Sequence, residues 1–489
     1  MGWMMGGKLV NSVFRVGFVV VLAHLLDPES FGLFQTVTIL TGFAEVVGQV
    51  GIGAALVQVK ELRKDHISTS FAFSLFWGIT LSLVLFSLSD YWGSYMGNPE
   101  LGEMTRVFVW IFPIRAFSIV SVNLLQRNMA FKKVSLIETI SYLIGYGIVA
   151  CVLAYLDFGV WSLIYATMAQ GLIASFLFFV LQPHKMNVKP TKKALKELLG
   201  FGGSLTLAKI FNYLARKGDY FIISKFLGAH ALGIYGRAYN IMTVSVSLFG
   251  NALDKVIYAS MSRKQDDNER LKFAYLKSDS AIGFVMLPAS IVAVIIGPEI
   301  VDVLLGQKFA EAVIPFQLLS ATMFFRVGYK IGDSLAKATG KVHLSTYRQM
   351  MYAVFVAILA FVGVKLQGVD GASAGVAISI ILVYLLSSQM ATRLLKELSW
   401  WDLIKNKFSA LLSTITIGGI VYAMVFFLRY NLFPSWITLL LTVSISPLLY
   451  IVLWKTSKNV FFGESGIWLV QTFANALPKK ISEKLKITL

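Results

Sequence analysis

Charge is what this sequence has least of. Only 14% of its 489 residues are Asp, Glu, Lys or Arg, against about 25% in an average soluble chain. That shortfall excludes an ordinary water-soluble architecture over most of the length. Cysteine is nearly absent too. Cys151 is the one thiol and stands in an apolar run, so no internal disulfide can form and a small packed residue is expected there. Histidine is sparse: His24, His66, His184, His230 and His343 are scattered, without metal-ligand spacing. No GxxxxGK[ST] loop occurs, which excludes nucleotide hydrolysis by that route. We therefore expect no catalytic residue, no metal and no cofactor. A cleavable signal peptide is not expected either, because the first apolar run is too long and no small-residue cleavage site precedes Asp27.

What the chain does have is apolar residues. They make up 56% of the sequence, mean hydropathy is +0.71, and they come in runs of about 20, enough for a helix to cross about 30 Å of hydrocarbon. Backbone groups in lipid must be satisfied within each segment, so the runs read as helices. The fold class is all-α and polytopic. Fourteen candidate spans fall near 4–26, 32–57, 67–89, 105–125, 135–156, 160–181, 200–226, 231–256, 279–304, 311–336, 343–365, 370–392, 406–428 and 434–454.

The net charge is +18. In a soluble protein that would suggest nucleic acid; here it reads as positive-inside loops attracted to anionic lipid, with no nucleic-acid partner. With the N-terminus in the cytoplasm, the inside loops and tail hold 28 Lys and Arg and the outside loops four. That bias places both termini inside. In the tail, Leu477, Ile481 and Leu485 interleave with Lys479, Lys480 and Lys484 as a basic amphipathic helix would.

A repeat organises the chain. Residues 8–34, KLVNSVFRVGFVVVLAHLLDPESFGLF, align without gaps on 209–235, KIFNYLARKGDYFIISKFLGAHALGIY. Lys8 falls on Lys209, Asn11 on Asn212, Arg15 on Arg216, Gly17 on Gly218 and Gly32 on Gly233. Later in each half, Arg115 sits at a depth equivalent to Arg326. Six spans separate the copies, so both insert in the same orientation, related by an axis along the membrane normal. The domains expected are an N-lobe (1–181), a basic cytoplasmic linker (182–199), a C-lobe (200–395), two further spans (396–456) and a basic tail (457–489).

Lys8, Asn11 and Arg15 fall within about 60° on one helix face. Lys209, Asn212 and Arg216 repeat that face. A mid-membrane charge costs several kcal/mol unless it meets water, a partner or a ligand, so both faces are candidate walls of a hydrated cavity. Arg115, Arg326, Lys330 and Arg348 could add to it. The acids are fewer: Glu45, Glu138, Asp219, Asp254 and Asp333. A basic excess selects an anionic cargo, and the arginine fork suits phosphate. Glu45 could pair with Arg15 or couple an ion, and Asp219 has the same choice with Arg216. Asp333 could neutralise Lys330, three residues away. Trp77, Trp92, Trp400, Trp401 and Trp436 fit an interfacial belt better than a sugar platform. Pro113 and Pro288 are expected to kink their spans.

Four segments resemble a known family: LAHLLDPESFGLFQTVTIL, GQVGIGAALVQ, LLQRNMAFKKVSLIE and DYFIISKFLGAHALGIYGRAYNI. Over roughly 8–395 the chain resembles the polysaccharide flippases (Wzx-like transporters) of the multidrug/oligosaccharidyl-lipid/polysaccharide exporter superfamily. The resemblance implies a V-shaped, two-lobed transporter of the bacterial inner membrane, working by alternating access. It implies carriage of undecaprenyl-pyrophosphate-linked glycans to the periplasmic leaflet on an ion gradient. Polymerase and glycosyltransferases of the same pathway would be its partners. The family's cationic cavity maps onto Arg15, Arg216 and Arg326. The alternatives are a lipid II flippase and a multidrug antiporter of the same fold; the second needs an acidic cavity. A membrane glycan polymerase would need a large outside loop, and none is present.

Overall fold

The computed structural model describes residues 2–48, 52–184, 190–262, 267–463 and 466–467, and among them no strand occurs. Among the described residues nine helices are long and apolar enough to cross a membrane, and a tenth candidate is a pair bent by 41° at a short break. The protein is a multi-pass membrane protein. The chain forms two compact units, residues 1–236 with 304–308, and residues 237–303 with 309–489. The tail lysines 479, 480 and 484 lie outside the described residues.

In the first unit the helices are α1 (Gly2–Leu25), α2 (Pro28–Gly48), α3 (Ile52–Gln58), α4 (Lys64–Met96), α5 (Glu100–Phe108), α6 (Ile111–Arg127), α7 (Phe131–Ser141), α8 (Val149–Tyr155), α9 (Val160–Leu181) and the start of α10 (Lys192–Ser262). A π-helical turn, Tyr142–Ile148, joins α7 to α8. The expected span 105–125 breaks at Val109–Trp110, between α5 and α6, just ahead of Pro113. Pro113 sits in the first turn of α6, where its missing N–H costs no intrahelical bond. α10 merges two expected spans across a break at Gly228, whose φ of +84° stops the helix there.

Two glycines matched by the repeat fix how these helices cross. A Cβ on Gly32 would lie 1.7 Å from the Ala229 carbonyl oxygen, and one on Gly233 would lie 1.8 Å from that of Pro28. The start of α2 and the second part of α10 therefore touch backbone to backbone. Lipid supplies no hydrophobic drive between helices, so such close packing carries the association.

At the end expected to be cytoplasmic, the beginning of α10 docks back. Leu198 packs with Leu56, Phe71, Val120 and Leu124. Glu197 accepts from His66 Nε2 at 2.8 Å and from Arg63 at 2.9 Å. These donors, His66 first, hold the Glu197 carboxyl below its usual range.

The second unit takes up the rest of α10 and then α11 (Asn268–Ile295), α12 (Gly297–Leu305, most of it), α13 (Val313–Ser320), α14 (Met323–Ala338), α15 (Val342–Leu394), α16 (Trp400–Tyr430) and α17 (Ser435–Phe461). Pro288 lies inside α11. α15 breaks at Gln367–Gly368, between the two spans expected there. Three ion pairs tie α16 to α11 and α12: Lys272–Asp402 at 3.1 Å, Asp279–Lys407 at 2.5 Å and Glu299–Arg429 at 2.7 Å. The paired residues ascend together along both segments, so α16 runs parallel to α11. Two odd-numbered spans should do so.

Candidate functional site

The first unit encloses a cavity of about 570 Å³, inside the range of roughly 300–1,000 Å³ typical of small-ligand sites. Its wall is built from periodic faces. From α6 come Phe112, Arg115, Ile119, Asn123 and Gln126; from α4 come Phe73, Ser74, Trp77, Gly78 and Leu81. Glu45 and Gly48 reach it from α2, Glu138 from α7 and Lys209 from α10. At 100° per residue Gln126 falls within about 20° of Arg115 and Asn123 within about 80°. One helix thus lines the cavity along several turns.

Charge in the wall is balanced. Glu45 and Glu138 share the wall with Arg115 and Lys209, among otherwise apolar, amide and hydroxyl residues. The basic excess expected from the sequence does not appear here. Arg115 donates to Glu45 at 2.7 Å, with the two side chains 48% and 36% exposed. Glu45 thus has Arg115 as a partner, where the sequence suggested Arg15. Arg15 is exposed and lies 5.1 Å from the centre of the Tyr142 ring. Lys209 and Arg216 are exposed on α10, and Asn212 is half-buried. The side chains of Lys8 and Asn11 lie outside the described residues. Asp219 is buried; it accepts from the Tyr235 hydroxyl at 2.6 Å and from the Tyr220 N–H at 2.9 Å. Its described acid-to-phenol contact differs from the Arg216 pairing that spacing suggested.

In the second unit the expected cavity residues take other roles. Arg348 is buried and grips Asp333 through two bonds of 2.7 and 2.6 Å. The sequence had assigned Asp333 to Lys330, which is half-buried. Arg326 donates to the Tyr239 hydroxyl and lies 4.7 Å from the centre of that ring. Its Nη1 is buried with no hydrogen-bond partner among the described residues. A buried guanidinium donor left open suits an incoming anion.

Sequence reasoning missed Ser74, Trp77, Asn123 and Gln126. It followed charged residues only and assigned Trp77 to the interface. The signal was there in the spacing of Arg115, Asn123 and Gln126. Trp401 and Trp436 are exposed at their helix starts.

Comparison with known proteins is consistent with this architecture. A family model described as polysaccharide biosynthesis protein matches residues 21–314. Lipopolysaccharide biosynthesis protein WzxC of Escherichia coli K12 is 25% identical over 375 residues, covering 75% of this chain and 74% of its own. Among solved structures, the lipid II flippase MurJ in its inward closed conformation superposes with a TM-score of 0.71 at 13% identity, over 92% of this chain and 98% of its own. An inward-facing multidrug resistance MATE family transporter gives 0.61 at 18% identity, over 80% and 96%. At such identities these two structures bear on the fold alone. It is the fold of the multidrug/oligosaccharidyl-lipid/polysaccharide exporters.

Proposed function

Because this chain belongs to the polysaccharide biosynthesis protein family, we propose that it is a flippase for an undecaprenyl-pyrophosphate-linked oligosaccharide. It moves the repeat unit of a surface polysaccharide from the cytoplasmic to the periplasmic leaflet. The lobes at 1–181 and 200–395 alternate in access, and both termini lie in the cytoplasm. With no nucleotide-binding loop, an ion gradient supplies the energy, and Glu45 and the buried Asp219 are the carboxylates placed to couple it. Glycosyltransferases supply the cargo and a polymerase consumes it.

The observation that carries this reading is the charged cavity inside an apolar helical unit. A polar headgroup needs such a space, since a sugar in hydrocarbon would lose its hydrogen bonds. Under the positive-inside orientation most of the wall falls in the cytoplasmic half of its spans, with Leu81 and Phe112 just past the midpoint. Spans 2, 4 and 6 end there, and spans 3, 5 and 7 begin there. The cavity is therefore on the loading side. In this reading Arg115 and Lys209 take phosphate in the first unit, Arg15 and Arg216 add positive charge to the same unit, and Arg326 is an anion contact of the second unit. Balanced charge in the wall argues against a site for cationic drugs alone.

The test is transfer in proteoliposomes holding an undecaprenyl-pyrophosphate-linked glycan, scored by access of an impermeant glycosidase. Arg115→Ala and Arg216→Ala should abolish transfer while the protein still inserts. Unchanged transfer in both sinks the cavity assignment. Arg15→Lys should retain more transfer than Arg15→Ala if charge is what counts, whereas equal loss points to fork geometry.

A further inference from the structure

We infer that one part of this cavity is a sugar subsite, chemically separate from the groups that take phosphate. This rests on the flippase reading and says what the cavity selects: a neutral, hydroxyl-rich sugar unit. Phe73 and Trp77 stand one turn apart on α4 and stack, with ring centres 6.0 Å apart and planes at 11°. Both line the cavity. Aromatic surface of this kind covers the C–H face of a sugar ring, while its hydroxyls need amides and carboxylates around them.

Those polar groups are present. Asn123, Gln126 and Ser74 share the wall with the two rings, and Glu138 adds a carboxylate. Asn123 gives one N–H to the Ile119 carbonyl at 2.6 Å, and its second N–H and its Oδ1 remain to be matched. Gln126 and Ser74 make no side-chain hydrogen bond among the described residues. Polar groups held on a helix wall without protein partners are groups to which a ligand can bond.

Position sets the amide end of this subsite apart from Arg115, while the ring pair begins beside it, since Gly78 next to Trp77 packs against Phe112 and Ala116. Asn123 and Gln126 stand eight and eleven residues beyond Arg115 on α6, about 12 and 16 Å along the axis. That distance spans a disaccharide beyond a phosphate held at Arg115. Glu138 disfavours an acidic sugar by like-charge repulsion. The cavity accordingly passes repeat units whose lipid-proximal sugars are neutral and discriminates against uronic acids.

The test uses the full chain in lipid nanodiscs with three probes: chitobiose and glucuronic acid, read by saturation-transfer NMR, and inorganic pyrophosphate, read by 31P line broadening. Chitobiose should show saturable transfer, and glucuronic acid should not. The double variant Asn123→Ala/Gln126→Ala should weaken chitobiose binding about tenfold or more. Its pyrophosphate response should persist. Arg115→Gln should show the reverse pattern. Trp77→Phe should keep the chitobiose signal and Trp77→Leu should lose it, which separates the ring face from a folding defect. An absent chitobiose signal in the unsubstituted protein overturns the subsite, as does a signal unchanged in the double variant. Displacement of chitobiose by lipid acyl chains also overturns it. A pyrophosphate response insensitive to Arg115→Gln would strike the flippase reading of the cavity and leave the sugar subsite standing.

Discussion

The two units treat their charges differently. In the second, Arg348 and Asp333 are 5% and 15% exposed and locked in a two-bond pair. Lys407 and Asp279 are 13% and 1% exposed. In the first, Arg115 and Glu45 are 48% and 36% exposed and stand on a cavity wall. A buried pair is costly to break and slow to yield to a ligand, because removing one partner strands the other. A half-exposed pair is worth little to the fold and is available for exchange. The difference teaches where to look for cargo contacts: among the charges that packing leaves exposed, not simply where charges are most numerous.

The sharpest way to break this comparison is to remove one charge from each unit. Arg348→Ala should cost about 3–5 kcal/mol, since Asp333 is left nearly buried without its guanidinium. Thermal unfolding in detergent would read this as a large fall in Tm, and an unchanged Tm would erase the contrast. The first unit holds itself by backbone contact, and there a methyl group is the matching insult. Gly32→Ala should destabilise by about 1–3 kcal/mol through overpacking. Gly17→Ala should be harmless by comparison, because nothing lies within 4 Å of a Cβ there. Equal effects would mean that the close crossing is not structural.

Arg115→Ala belongs at the mild end for stability. It should cost under about 1 kcal/mol of fold while transport is lost. The smallest effect is at the Glu197 clasp. Its carboxyl is held below its ordinary value by His66 and Arg63, so its contribution is full above the unfolded pKa. That contribution disappears as pH falls through the lower folded value. Protease nicking near α10 should therefore rise only on strong acidification, and Glu197→Gln should flatten the dependence.

Much of the fold could be read from hydropathy. Each of the fourteen candidate spans meets helix among the described residues, and the breaks at Gly228 and Gly368 fall between expected spans. The repeat also pointed to glycines with a physical task, Gly32 and Gly233. Partner choice was less legible. Asp333 lies one turn from Lys330, but its partner is fifteen residues away across the α14–α15 turn. Helical spacing cannot report a contact between helices, and Glu45 and Arg115 are seventy residues apart. Trp77 failed for a related reason. Periodicity says which residues share a face but not whether that face meets lipid or a cavity. The amides at Asn123 and Gln126 were legible on the face of Arg115, because that pattern lies within one helix.

The central claim is that the first unit's cavity holds the headgroup of a lipid-linked glycan. The most direct measurement is transfer of an undecaprenyl-pyrophosphate-linked glycan by purified protein, comparing Arg115→Ala with a bulky block, Ser74→Trp, on the α4 wall of the cavity. The account predicts that both variants insert, keep their Tm within a few degrees, and lose transfer. Transfer at the unsubstituted rate with the cavity filled would contradict it.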